Sequence, residues 1–207
     1  MPSRTSLSAL APFFLGLGTL ATSPLLNVTA ISSRDGYSVL QCWQLSSIPV
    51  DAMSAANYVV GGNTTEARWS RIEPQTHVGE AWAPSVQISI ILNGLIRITS
   101  PAPQSSGSGS STSTTTANAS GSIESVQEDL LVIEQDSSSA RPETHVAYIM
   151  PGTVKSSVVI AADLKAASTL AGHFTEFPSG EPTILIQIPF ESNKVPDHVV
   201  LYDGPCV

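Results

Sequence analysis

Histidine offers the widest choice of chemistry in this chain, because an imidazole can bind a metal ion or transfer a proton near neutral pH. The sequence contains four: His77, His145, His173 and His198. They are far apart, and none has a second histidine or a cysteine at the spacing of a metal-binding motif. His77 lies in a polar stretch and is the best candidate for a binding role, whereas the other three are predicted at a strand start or in loops. The chain also lacks a Gly-x-Ser-x-Gly elbow, a phosphate loop and a Gly-x-Gly-x-x-Gly fingerprint, so hydrolase and nucleotide-dependent functions have no support.

The two cysteines, Cys42 and Cys206, are predicted to form a disulfide. An even cysteine count in an exported chain favours pairing, and one cysteine lies near each end of the predicted domain. A pair of buried free thiols is the alternative.

The first 30 residues have the pattern of a secretory signal peptide. Arg4 precedes an apolar run over residues 7–20, which is shorter than the roughly 20 apolar residues that cross a bilayer. Small residues permit cleavage after Ala21 or after Ala30. Glycosylation sequons, which are used only in the secretory pathway, begin at Asn27, Asn63 and Asn118. We therefore expect a secreted, extracellular glycoprotein.

Composition limits the domain count and the partners. With 207 residues and 42% hydrophobic content, the chain suits one well-cored domain, which we place at residues 36–206. The net charge is −8 and no Lys/Arg cluster is present, so neither nucleic acid nor an anionic membrane is an expected partner. No later segment is apolar enough to span a bilayer, so no membrane association is expected for the mature form. A small-molecule ligand and a homodimer are compatible with this composition.

The strand pattern is strongest at residues 86–99. Apolar side chains alternate over residues 86–92, Asn93-Gly94 is a dipeptide typical of tight turns, and residues 95–99 would return as the second strand of a β-hairpin. Residues 100–124, rich in Ser and Thr, are predicted to form a flexible loop inserted within the domain, either O-glycosylated or without a role. Residues 51–57 and 163–171 are predicted to form a helical turn and a short helix. Further strands are predicted at residues 37–45, 67–73, 130–133, 145–150, 158–161, 183–188 and 199–202. Together these patterns indicate an all-β sandwich or barrel.

Two segments resemble the conserved motifs of cupins. Glu73-Pro74, a polar loop and ISIILNGLIRIT resemble the first motif, and HVAYIMPGTV, with its Pro151-Gly152 turn, resembles the second. The span of residues 36–206 is similar to small secreted cupin-like proteins of filamentous fungi. This resemblance implies a single cupin-type jelly roll, that is, a double-stranded β-helix barrel with at most one or two short helices.

The same resemblance identifies the positions that hold metal ligands in the family. Counted back from Gly94, Glu80, Trp82 and Gln87 occupy the first-motif positions, and Lys155 or Ser156 occupies the second-motif position. None is a histidine, and an amide, an indole and an ammonium group are poor metal ligands, so we expect no metal and no other cofactor. A shift of register that brings His77 beside Glu80, joined by His145 or His173, is the alternative.

If those positions line a barrel mouth, the resemblance implies a metal-free pocket. Trp82 would form an apolar wall, Gln87 and His77 would orient the ligand, and Glu80 with Lys155 would move protons. The alternative places Glu80 and Lys155 in solvent and Trp82 over the edge of the core. The leading hypothesis is a small-molecule-binding protein, either purely binding or a cofactor-independent isomerase, cyclase or dehydratase of secondary metabolism. The second is a non-catalytic cell-wall, host-surface or carbohydrate-associated module. A barrel with an enclosed cavity favours the first hypothesis, and a filled one favours the second.

Overall fold

The computed structural model describes residues 24–103 and 141–207. Over these residues the protein is all-β, with two facing sheets, a separate two-stranded hairpin and very little helix. Several predicted features lie outside the described residues: the first 23 residues of the predicted signal peptide, the predicted strand at 130–133, Asn118 and most of the Ser/Thr-rich stretch.

The larger sheet has seven strands. In spatial order they are β13 (His198–Asp203), β2 (Tyr37–Leu45), β1 (Asn27–Arg34), β10 (Val158–Ala161), β7 (Gln87–Asn93), β12 (Thr183–Pro189) and β5 (Arg68–Ile72). Neighbouring strands are antiparallel except for β1 and β10, which are parallel. β1, from the start of the described chain, therefore lies next to β10, from its second half, in the interior of this sheet, and the last strand, β13, forms an edge.

The smaller sheet has four antiparallel strands. They are β6 (Thr76–Ala81), β11 (His173–Phe177), β8 (Ile96–Ser100) and β9 (His145–Ile149), in that order. A short hairpin of β3 (Val50–Ala52) and β4 (Ala55–Asn57) is separate from both sheets. The helices are α1 (Val154–Ser157) and a single 3₁₀ turn at Glu191–Asn193.

The main core fills the space between the two sheets. The larger sheet contributes side chains such as Ile31, Leu40 and Ile91, and the smaller sheet contributes Ile98 and Ile149, among others, to one continuous buried cluster. Burial of each such side chain stabilises the fold by roughly 1.5–3 kcal/mol. The inward-facing apolar side chains of the two sheets thus pack against each other, as in a β-sandwich.

A second apolar layer covers the outer face of the seven-stranded sheet. Val28, Trp43 and Ile160 are buried on this face, and segments around Val60 and Phe190 cover it. A Cβ at Gly61 would lie 2.2 Å from the Phe190 ring, so only glycine allows this cover segment to approach so closely. Residues 28–31 of β1 consequently have almost no exposed surface on either face of the sheet.

The expected hairpin at Asn93-Gly94 does not form, and this prediction was wrong. β7 pairs with β10 and β12, whereas β8 pairs with β11 and β9 in the other sheet. Both edges of β7 are occupied, so β8 has no edge to join. Gly94, with a φ of 82°, instead makes the corner between the two layers.

Both predicted helical segments were also wrong. Residues 51–57 form the β3–β4 hairpin, whose turn residues Met53 and Ser54 have positive φ angles of 51° and 62°. Residues 163–171 form turns without a helix, because contacts with distant strands hold this connection in place. Tertiary contacts here outweigh helix propensity.

Other strand predictions were confirmed or need extension. The predicted strands at 37–45, 67–73, 145–150, 158–161, 183–188 and 199–202 correspond to β2, β5, β9, β10, β12 and β13. Two expected loops are strands, since His77 lies in β6 and His173 begins β11. The folded part also starts before residue 36, because β1 occupies Asn27–Arg34 at the centre of the larger sheet.

Cys42 and Cys206 are bonded to each other across a sequence separation of 164 residues. The bond joins β2 to the segment after β13, and the backbone N–H of Cys206 donates a 3.0 Å hydrogen bond to the Thr29 hydroxyl of β1. The segment after β13 is therefore fixed to β1 and β2.

We predict that replacing both cysteines by alanine destabilises the protein substantially. A closed loop of this length corresponds to about 5 kcal/mol in the chain-entropy model, because the bond restricts the unfolded chain. Urea denaturation of the variant and the parent, each with and without reductant, measures the difference. A parent whose stability does not respond to reductant would contradict a stabilising role for the disulfide.

Candidate functional site

The structure places two of the predicted site residues, Glu80 and Trp82, against the connection between β10 and β11. Glu80 accepts a 2.9 Å hydrogen bond from the backbone N–H of Gly172. The Trp82 indole donates to the Ser168 carbonyl at 2.8 Å, and the ammonium of Lys165 lies 4.5 Å from its ring centre. Both side chains therefore hold this connection in place.

The other three predicted site residues have different neighbours. Lys155, in α1, donates from its exposed ammonium to the Val207 carbonyl at 2.6 Å. Gln87 is buried within β7 of the larger sheet, and His77 is exposed on β6, 3.2 Å from a Glu176 carboxylate oxygen. In the described part of the chain, no hydrogen bond, ion pair or ring contact joins any two of the five residues. Hence the expected pocket of Glu80, Trp82, Gln87, Lys155 and His77 is not assembled by these contacts.

A buried polar network lies between the sheets. One oxygen of Asp163, Oδ2, accepts a hydrogen bond from the Ser38 hydroxyl and contacts Nδ1 of His173, each at 2.6 Å. Asp163 and Ser38 have no exposed surface, and within residues 24–103 and 141–207 the other carboxylate oxygen of Asp163 finds no hydrogen-bond partner. The carboxylate stands between the hydroxyl and the imidazole, which differs from a nucleophilic triad, in which the imidazole is central. The hydrogen bonds of Asp163 are therefore suited to holding Ser38 and His173 in place rather than to nucleophilic catalysis.

We predict that Asp163→Ala lowers the free energy of unfolding by about 3–5 kcal/mol, since it leaves buried polar partners unsatisfied. Arg34→Ala is the control, because Arg34 pairs with Asp203 at the surface and such pairs contribute at most about 1 kcal/mol. Urea denaturation of both variants gives the comparison. Equal losses in the two variants would show that the Asp163 network does not stabilise the fold.

The predicted glycosylation sites differ in accessibility. Asn63 is exposed in a loop, with the following Thr65 also exposed, and its amide donates to Glu191. Asn27 begins β1, and its sequon hydroxyl, on Thr29, is fully buried. A glycan is bulky and must lie at the surface of the folded protein, so Asn63 is the better placed of these two.

A groove of about 440 Å³ lies on the outer face of the larger sheet and is the strongest candidate binding site. We call it the Trp43 groove. Its apolar lining is Trp43, Val86, Ala162, Leu164, Ala167 and Val195, and its polar lining is Ser32, Ser33, Gln41, Asn193 and His198. A second depression of about 330 Å³ adjoins it at Val195. Among the described residues, none that lines the Trp43 groove is Lys, Arg, Asp or Glu, so the groove suits a neutral ligand.

Hydrogen bonds and stacking fix the polar side of the groove. The Gln41 carbonyl oxygen accepts from the Ser32 hydroxyl at 2.7 Å and from the Trp43 indole at 3.0 Å. His198 stacks on Trp43 with ring centres 3.6 Å apart and an angle of 12° between the rings. Trp43 itself is almost fully buried, so a ligand would touch only its edge.

The tautomer of His198 follows from its backbone contact. Its Nδ1 lies 2.8 Å from the Pro196 carbonyl oxygen, which can only accept, so Nδ1 carries the proton and donates. In the neutral ring, Nε2 is then an acceptor. Asn193 is oriented similarly, since its side-chain oxygen accepts a 2.9 Å bond from the Val86 N–H. The groove therefore presents an imidazole acceptor and an amide with donor hydrogens.

A surface ion pair lies next to this network. Arg34 donates to both carboxylate oxygens of Asp203 at 2.9 Å. The hydrogen bond from Arg34 is the main reason that the pKa of Asp203 lies below its ordinary value, and Gln41 adds a smaller contribution in the same direction. The ionised form of Asp203 is thus favoured in the folded protein.

We predict that the stabilisation from this ion pair disappears in acid. A carboxyl group whose pKa is lowered by folding stabilises the native state above its unfolded pKa, and this contribution is lost as the pH falls through the folded pKa. The unfolding free energies of the parent and Arg34→Ala should therefore differ at neutral pH and converge below about pH 4. Urea denaturation from neutral pH to strong acid measures the difference in unfolding free energy between the two proteins. NMR titration should show that the pKa of Asp203 is higher in Arg34→Ala than in the parent. A difference that persists in strong acid would contradict this assignment.

Comparison with known proteins finds no matching family, no matching curated protein and no matching solved structure. Within residues 24–103 and 141–207, no group of three or more His, Cys, Asp or Glu side chains could hold a metal ion. Neither helix in this part of the chain has the length and hydropathy to cross a membrane.

The sequence prediction missed the groove because its lining residues come from five separate segments of the chain. One local signal was present: Gln41 and Trp43 are two residues apart in a predicted strand, so their side chains share a face. Nothing in the sequence places Asn193, Val195 and His198 over that face.

Proposed function

We propose that this protein is a secreted, non-catalytic β-sandwich module that binds a small, neutral and largely apolar molecule in the Trp43 groove. The lining of the groove carries this proposal, because an apolar floor is bordered by a few oriented polar groups without formal charge. Small-molecule sites have this composition and typically enclose about 300–1,000 Å³. The groove volume of about 440 Å³ lies within that range.

A binding role has better support than catalysis. Isomerases, cyclases and dehydratases without cofactors need an acid and a base beside the bound molecule. Among the described residues that line the groove, His198 is the one with an imidazole, and no carboxyl or amino group stands beside it as a second proton-transfer group. Glu80 hydrogen-bonds Gly172 and Lys155 hydrogen-bonds Val207, so both contribute to structure, and Asp163 is enclosed between the sheets.

The hydroxyl and amide groups of the rim support a second candidate ligand, a neutral carbohydrate. Ser32, Ser33 and Asn193 would supply hydrogen bonds to sugar hydroxyls. This ligand would correspond to the carbohydrate-associated module expected from the sequence. A neutral aromatic alcohol and a neutral oligosaccharide are therefore the two probes to compare.

Secretion and the finer fold assignment are part of the proposal. The signal-peptide pattern, the sequons and the disulfide all support an extracellular protein. Cleavage after Ala21 would leave β1 intact, whereas cleavage after Ala30 would remove half of a central strand. Two facing sheets support a jelly roll related to cupins, although the parallel pairing of β1 with β10 departs from an antiparallel jelly roll.

We predict that Ala167→Trp blocks the groove and weakens binding of 2-naphthol, a neutral aromatic alcohol, at least roughly tenfold, equal to about 1.4 kcal/mol. Ala167 is exposed and lines the groove, so its replacement fills the site without disturbing the core. Ala166→Trp is the matched control, since Ala166 is also exposed but does not line the groove. NMR titration of the secreted protein measures the affinity for 2-naphthol and for cellotetraose.

Three results would distinguish the alternatives. Preference for cellotetraose over 2-naphthol would support the carbohydrate candidate. Glu80→Gln and Lys155→Met should leave the affinity for both probes unchanged. A large loss of affinity in either variant would instead place the binding site at the residues predicted from the sequence. Equal effects of Ala166→Trp and Ala167→Trp, or no saturable shift at the groove residues with either probe, would refute binding in the groove.

A further inference from the structure

The depression of about 330 Å³ beside the Trp43 groove differs from the groove in charge. We call it the Lys194 depression, after one of its two charged lining residues, Lys194 and Asp197. Residues 193–198 run along the boundary between the two spaces. Asn193 and His198 line the groove, Lys194 and Asp197 line the depression, and Val195 lines both. A single ligand can therefore extend from the uncharged groove into the charged depression.

The two charged side chains of the depression are available to a ligand. Lys194 and Asp197 are both exposed, and within residues 24–103 and 141–207 neither forms an ion pair. Ser47 also lines the depression and accepts a 3.1 Å hydrogen bond from the backbone N–H of Val59, so its own O–H can donate to a ligand. The depression thus offers an ammonium group, a carboxylate and a hydroxyl donor next to an apolar groove.

We propose that the Lys194 depression is a head-group subsite of the Trp43 groove, and that the ligand is an α-amino acid with a large apolar side chain. This inference rests on the proposed binding function of the groove. The apolar side chain of the ligand occupies the groove, its carboxylate faces Lys194, and its ammonium group faces Asp197. An α-amino acid suits the site because it carries both charges next to its side chain. A ligand with a single charge would be attracted by one of the two residues and repelled by the other.

Gly62 keeps the depression open. It lines the depression, and a Cβ added to it would meet no heavy atom within 4 Å. A large side chain at this position is therefore tolerated sterically and would occupy part of the depression. Gly180 has the same free space around a Cβ but lines neither the depression nor the groove. These two glycines provide a matched pair of positions for a steric test.

NMR titration of the disulfide-intact protein with three related probes tests the inference. The probes are L-tryptophan, L-tryptophanamide, which lacks the carboxylate, and Nα-acetyl-L-tryptophan, which lacks the ammonium group. All three carry the same indole, so they differ only in the group that the depression would bind. We expect L-tryptophan to bind roughly threefold to fivefold more tightly than either derivative, because each solvent-exposed charge pair contributes little.

Two substitutions assign the charges. Lys194→Met should weaken the binding of L-tryptophan but not that of L-tryptophanamide, and Asp197→Asn should weaken the binding of L-tryptophan but not that of the acetyl derivative. Both side chains are exposed, so the thermal transition should be retained. Lys155→Met and Asp35→Asn are the matched controls, since both residues are exposed and line neither space, and they should leave all affinities unchanged.

The steric variants separate this inference from the proposed function. Gly62→Trp should weaken L-tryptophan roughly tenfold or more while 2-naphthol still binds in the groove, and Gly180→Trp should affect neither ligand. Equal affinities for the three tryptophan compounds, or an equal loss for all three in Lys194→Met, would overturn the inference and leave the groove as the site for 2-naphthol. Failure of 2-naphthol to bind the parent protein at the groove would refute the proposed function, and this inference with it.

Discussion

The fold depends on burying β1 on both faces. Residues 28–31 alternate between the space shared by the two sheets and the outer apolar layer, and none of the four has more than 2% of its surface exposed. A strand in this position needs partners on both edges and cover on both faces. β2 and β10 occupy the edges, the smaller sheet covers one face, and the segments around Val60 and Phe190 cover the other.

The candidate site follows from this requirement. The outer cover is made of loop segments, which cannot fill a flat sheet face as completely as a second sheet. The Trp43 groove lies where this cover is incomplete, between the 3₁₀ turn at Glu191–Asn193, residues 162–167 and β2. Its polar groups are oriented by contacts that also fix the cover, such as Asn193 to Val86 and His198 to Pro196. The same bonds that complete the fold therefore shape the groove.

Strands could be predicted from the sequence where a period of two coincides with burial, and the strand at residues 37–45 was predicted with the bounds it has in the structure. The sheet to which each strand belongs could not be predicted. Asn93-Gly94 is suited equally to a hairpin and to a corner between layers, and only the occupied edges of β7 decide between them. The helix expected at residues 163–171 failed for a related reason, since the contacts of Asp163 with Ser38 and His173 come from distant parts of the chain.

Prediction of the site was limited by the same lack of long-range information. Spacing within a motif identifies a site only when the flanking strands belong to the sheet that the motif assumes. Here Glu80 lies in the smaller sheet and Gln87 in the larger one, so positions that are close in sequence belong to different layers. His198 received little weight because no second ligand lies at metal-binding spacing from it, yet it lines the Trp43 groove. Its place in the groove comes from the stacking of its ring on Trp43, which is 155 positions earlier in the chain, and no local sequence pattern encodes such a contact.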